Sequence, residues 1–115
     1  MAFKVAVVFM APDGDPQVHR ALLKTSKLEF TAVVVRLGDV DQAVDVCRSL
    51  AQKDGVRHIM LCPGFAHEAV GKIKQTVGEN VAITVARGDV HNSVLLMQIL
   101  AQEGWIPQQH LSAHP

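Results

Sequence analysis

Four apolar runs rich in β-branched residues, at 3–10, 28–37, 56–62 and 81–86, constrain this chain more than any other feature. Continuous apolar stretches of that length suit strands buried on both faces of a parallel sheet. Between them the spacing becomes helical. After Gly38-Asp39, residues Val40, Ala43, Val44, Cys47, Leu50 and Ala51 follow the i, i+3, i+4 pattern of a helix capped by Asp39 and closed at Gly55. Ala66, Ala69, Val70, Ile73 and Val77 repeat the pattern after Pro63-Gly64 and end near Gly78. A last helix is predicted over about 90–103, after Arg87-Gly88-Asp89. Between the first two runs, Asp15 reads as an N-cap and Pro16 as the first helical residue. They predict a short helix to about Thr25 with Val18, Ala21 and Leu22 facing inward.

Alternation of strand and helix implies βαβ units, right-handed crossovers and helices on both faces. The expected fold is α/β, a flavodoxin-like (Rossmann-type) three-layer sandwich on a mostly parallel four-stranded sheet of order 2-1-3-4. Residues 1–107 form the single domain, and 108–115, without a packing pattern, read as a frayed tail.

A chain of 115 residues that is 49% apolar can bury one core. Its 11 basic and 11 acidic side chains cancel, leaving no basic stripe for a nucleic-acid partner and no charge to seek a membrane surface. No run reaches the roughly 20 apolar residues of a membrane span, and the start lacks a secretory leader pattern. Cys47 and Cys62 lie on different elements, so a disulfide scaffold is not expected and the cytoplasm is the expected compartment.

Open α/β sheets bind ligands beyond the carboxyl ends of their strands, where strand order reverses. For order 2-1-3-4 that point is flanked by residues 11–15 and 62–67, with 87–93 next to them. Asp13, Gly64, Arg87 and Asn92 are the candidates there for holding a small anionic ligand. Cys62, at a strand end before a helix, is a candidate nucleophile with His67 as its base, and Glu68 belongs to the same candidate catalytic set. His67 and His91 are candidate metal ligands, although the spacing of the helical metalloprotease motif is missing. Neither GxGxxG nor GxxxxGK[ST] occurs, which disfavours classical dinucleotide binding and P-loop hydrolysis. No particular cofactor is indicated.

The last helix carries Val94, Leu95, Leu96, Met97, Ile99 and Leu100 around most of its circumference. A helix apolar all round needs cover on more than one side, so a homodimer through this helix and Trp105 is expected.

Two resemblances add to this reading. Ala11-Pro12, Asp15-Pro16, His19-Arg20 and Leu61-Cys62-Pro63-Gly64-Phe65 resemble a family of small bacterial α/β proteins of unknown function, from Phe3 to Gly88. That resemblance implies the fold and no activity. The layout, with Asp13-Gly14 after the first strand, is also similar to mutase-type cobalamin-binding domains. There the next residue is the cobalt-coordinating histidine; here it is Asp15, and the later glycine pair is missing too. The resemblance then implies architecture only.

Overall fold

A computed structural model describes residues 1–107, the side chains of Val90 and His91 excepted. The elements run β1 (Phe3–Ala11), β2 (Arg20–Lys24), β3 (Leu28–Arg36), α1 (Val40–Gln52), β4 (His58–Leu61), α2 (His67–Val77), β5 (Ala82–Val85) and α3 (Val90–Gln102). The strands form one five-stranded mixed sheet of order β2-β3-β1-β4-β5. β1 pairs in parallel with β3 and β4, and β4 with β5. These parallel strands are the four apolar runs, in the relative order expected of them. The expected four-stranded sheet gains a fifth strand, because β2 joins it antiparallel to β3.

The short helix expected from Asp15 to Thr25 does not form. Asp15 does start a turn: its carboxylate accepts the Gln17 N–H at 3.0 Å and its carbonyl accepts from Val18 and His19 at 3.1 and 2.7 Å. The turn stops there, and the chain extends along β3 with Arg20 opposite Val33 and Lys24 opposite Glu29. The outer edge of β3 carries backbone groups that need partners, and a five-residue ladder supplies them. Helix propensity in Ala21-Leu22-Leu23-Lys24 is worth only tenths of a kcal/mol per residue, too little to compete. Val18, Ala21 and Leu22, expected inside, are exposed. Thr25 closes the hairpin, its hydroxyl accepting from the N–H groups of Lys27 and Leu28 at 3.2 and 2.9 Å.

This hairpin changes the layering. A crossover helix between β1 and its neighbour would have covered the second face of the sheet, and β2 stands in its place. Both remaining crossovers, β3-α1-β4 and β4-α2-β5, run in the same direction across the sheet. Right-handedness therefore puts α1 and α2 on one face. Cys47 and Leu50 of α1 and Ile73 of α2 share a single core with Ala6, Val8, Val33, Val35, Ile59 and Leu61. In every strand these core residues have the same alternation. The crossover helices thus lie on one face, where both faces were expected. Residues 108–115, read as a frayed tail, lie outside the described residues.

Local chemistry fixes the two crossover helices differently at their starts. Asp39 caps α1, accepting the Gln42 N–H at 3.0 Å, and Gln42 returns an acceptor to the Arg36 N–H at 2.7 Å. The N-cap of α2 is Ala66, whose side chain makes no capping hydrogen bond.

Cys47 is fully buried in the core, and burial pushes its thiol from 9.0 up to about 12. The folded state thus favours the neutral thiol. That contribution is complete below about pH 9 and is lost as pH rises from there toward 12. In the folded chain at pH 8, Cys47 is expected to resist iodoacetamide and to react fully in denaturant, as peptide mass spectrometry would show. Between pH 8 and pH 10.5, the denaturation midpoint is expected to fall more in the native sequence than in Cys47→Ala.

Candidate functional site

The carboxyl ends of β3, β1 and β4 meet at one end of the sheet, beside the N-termini of α1 and α2. The chain leaving β1 turns at once, the Gly14 N–H donating to the Ala11 carbonyl at 3.0 Å. Gly14 then lies so close to β3 that a Cβ would collide with the Val35 carbonyl. The chain leaving β4 passes through Pro63-Gly64 and buries Phe65 before entering α2. A Cβ on Gly64 would come within 2.7 Å of the Met10 methyl carbon.

Between the two helix starts lies a cavity of about 260 Å³ lined by Met10, Val40, Gly64, Phe65 and Ala69, among others. Its walls are almost wholly apolar. The Asp39 carboxylate on its rim is engaged in capping α1. A larger cleft of about 520 Å³, lined by Arg36, Asp39, Asp41 and Lys72 among others, lies open to solvent beyond the end of β3. Two more, of about 530 and 540 Å³, flank β2 and open widely to solvent. One is rimmed by aspartates beside α1. In the other, Lys4 and Lys24 already pair with Glu29 at 3.6 and 3.4 Å. The smaller cavity is the more enclosed and the more apolar, and it sits between the starts of both crossover helices, which makes it the better candidate.

On the other side of the α2 start, Arg87 reaches in from beyond β5. One guanidinium nitrogen donates to the Phe65 carbonyl at 3.3 Å and another meets His67 Nδ1 at 3.3 Å. A guanidinium only donates, so Nδ1 is the acceptor and the ring carries its proton on Nε2. Two kinds of donor lie here, the uncapped first-turn N–H groups of α2 and the guanidinium, while the Nε2–H of His67 points to the far side of the ring from Arg87. Such an arrangement can hold a carboxylate or a phosphate.

Of the expected residues the structure thus brings Arg87 and His67 together, and it places Gly64 in the wall of the neighbouring cavity. Cys62 belongs to the buried core, its N–H donating to the Val8 carbonyl at 3.1 Å, and no hydrogen bond joins it to His67. Glu68 is exposed in the first turn of α2. Asp13 is exposed on the turn after β1 and forms no hydrogen bond or ion pair with Arg87 or His67. Asn92 is exposed in the first turn of α3, its N–H donating to Asp89 at 3.1 Å. The side chain of His91 lies outside the described residues, and with it the expected His67–His91 metal pair. Among the described residues, no group of three His, Cys, Asp or Glu is placed to hold a metal ion. Asp15, at the position of the cobalt ligand in cobalamin-binding domains, accepts the Gln17 N–H.

Sequence reasoning missed the lining residues Met10, Val40, Phe65 and Ala69. Met10 and Phe65 border strand ends next to turn residues, which is the signal that marks them. Val40 and Ala69 fall on helix faces that read as ordinary core.

No helix among the described residues is long and apolar enough to cross a membrane. No curated protein and no solved structure matches the chain. A family model described as a family of unknown function, DUF6506, matches residues 3–101. That span takes in every element up to the end of α3 but its last residue, including the segments that carried the resemblance to an uncharacterised α/β family, and the chain is a member of the DUF6506 family.

Proposed function

We propose that this protein binds a small anionic ligand, with a short apolar portion, at the start of α2. The observation that carries this reading is the contact of Arg87 with His67 and the Phe65 carbonyl, beside a helix start that has no side-chain cap. The anionic group would sit on Arg87, which His67 Nδ1 helps to orient, and on the first-turn N–H groups of α2. The apolar portion would enter the adjacent cavity, whose volume of about 260 Å³ suits a ligand smaller than the drug-sized molecules that fill about 300–1,000 Å³. A nucleophilic Cys62 would need a base within hydrogen-bond reach, and Nδ1 of His67 is engaged with Arg87. Binding is therefore the reading the geometry favours over catalysis by this pair.

Thermal-shift measurements with short-chain carboxylates and small phosphate monoesters test the proposal. A ligand at about 100 times its Kd adds roughly 2.7 kcal/mol and, in a chain of this size, raises the midpoint by on the order of 10 °C. Arg87→Ala is expected to abolish that shift while leaving the unliganded midpoint nearly unchanged, since Arg87 is exposed. A shift that survives Arg87→Ala, or no shift with any of these compounds, would overturn the assignment.

A further inference from the structure

We infer that a second copy of this chain packs against the outer face of the sheet and against α3. The outer face is the one turned away from α1 and α2, and the strand register identifies it. Phe3, Val5, Val7 and Phe9 share it with Phe30 and Val34 of β3, and Leu23 and Met60 extend it across β2 and β4. Of the charged residues in the strands, only Arg36, at the end of β3, has this orientation. Parallel sheets are almost always covered on both faces. Here Phe3, Phe9 and Leu23 remain 52, 50 and 69% exposed.

The second surface is the exposed side of α3. Its 13 residues include no Asp, Glu, Lys or Arg. Ala101 is buried and Met97 and Leu100 are half-buried, while Leu95, Leu96 and Ile99 are 54, 43 and 43% exposed. The chain therefore presents two largely apolar surfaces, the outer face of the sheet with its one charge at the end of β3 and the exposed side of a helix without Asp, Glu, Lys or Arg.

Area and charge favour a copy of the same chain as the occupant. At side-chain areas of about 150–250 Å², those six exposed residues present roughly 600 Å² of apolar surface. Phe30, Val34, Met60 and Trp105 bring the total near the ~800 Å² that each partner gives to a stable interface. A two-fold contact uses the same surfaces on both copies, so two apolar surfaces match without any complementary charge. The formal net charge of zero offers no long-range repulsion between copies. A lipid surface fits less well, because interfacial helices use Lys and Arg on their polar side and α3 has neither.

Sedimentation velocity on the full chain from 1 to 100 μM tests the inference. The expected result is a species of twice the 12.5 kDa chain mass. Leu95→Glu with Ile99→Glu on α3, and separately Phe9→Glu on the sheet, are each expected to weaken association at least 100-fold. Circular dichroism must show that the variants keep the fold, and Phe9→Ser replaces Phe9→Glu if that variant does not. A monomer throughout this range would overturn the inference, whether or not it binds lipid vesicles or another protein. So would a dimer whose affinity neither set of substitutions moves.

Discussion

Leu50→Ala is expected to destabilise the protein by about 2–5 kcal/mol, the range for emptying a packed leucine site. Leu50 is 1% exposed and lies where α1 meets the sheet and α2, in the core that α1 and α2 share. Its own carbonyl accepts the Val56 N–H at 3.0 Å, tying the end of α1 to the approach of β4. A domain of this kind is stable by about 5–15 kcal/mol in all, so the loss is a large fraction of the whole. The melting midpoint should fall by about 10 °C or more, read by circular dichroism. Leu22→Ala is the informative comparison. A helix over 16–25 would have placed Leu22 in the core, whereas on β2 it is 53% exposed. Its replacement should therefore stay within about 0.5 kcal/mol. Equal losses at the two leucines would contradict the hairpin.

Gly14→Ala is expected to cost about 1–3 kcal/mol, as overpacking does, and to act on the carboxyl end of the sheet. The atom in the way belongs to the backbone of β3, the Val35 carbonyl, so no side-chain rotation can relieve the collision. Either β3 shifts or the turn lifts. Lifting the turn strains the 3.0 Å bond from Gly14 to Ala11 and the 2.8 Å bond from the Leu37 N–H to the same carbonyl. Amide hydrogen exchange should then accelerate in residues 12–24 more than in α2. Uniform loss of protection across the chain would show instead that the turn and the core unfold as one unit.

Much of the fold was legible because its parallel strands are written in continuous β-branched runs. Val5 to Val8 and Ala32 to Val35 can scarcely be anything but buried strand, and the periodicity of α1 names its inner face residue by residue. The misreading at 16–25 has a specific cause. Asp15-Pro16 carries real helix-start chemistry, and the carboxylate makes the bond that such a residue makes. What decides the next residues is the unpaired edge of β3, a demand from a segment not yet reached in the sequence. Strand formation at an edge depends on that kind of context more than on local preference. At the site, strand order indicated which loops would meet. It could not show that Arg87 reaches past β5 to His67, because that contact depends on side-chain direction across a 20-residue separation.

The hairpin also bears on how the sheet avoids growing. β2 is an outermost strand with one row of backbone groups open to a neighbour, the usual starting point for edge-to-edge aggregation. It is only five residues long and begins with Arg20 and ends with Lys24. A copy of β2 docked antiparallel about Leu22 would set Arg20 opposite Lys24 at both ends of the new ladder. Like charges facing across strands are destabilising. The strand that satisfies β3 therefore also works as a charged stop on this edge of the sheet, discouraging edge-to-edge pairing there.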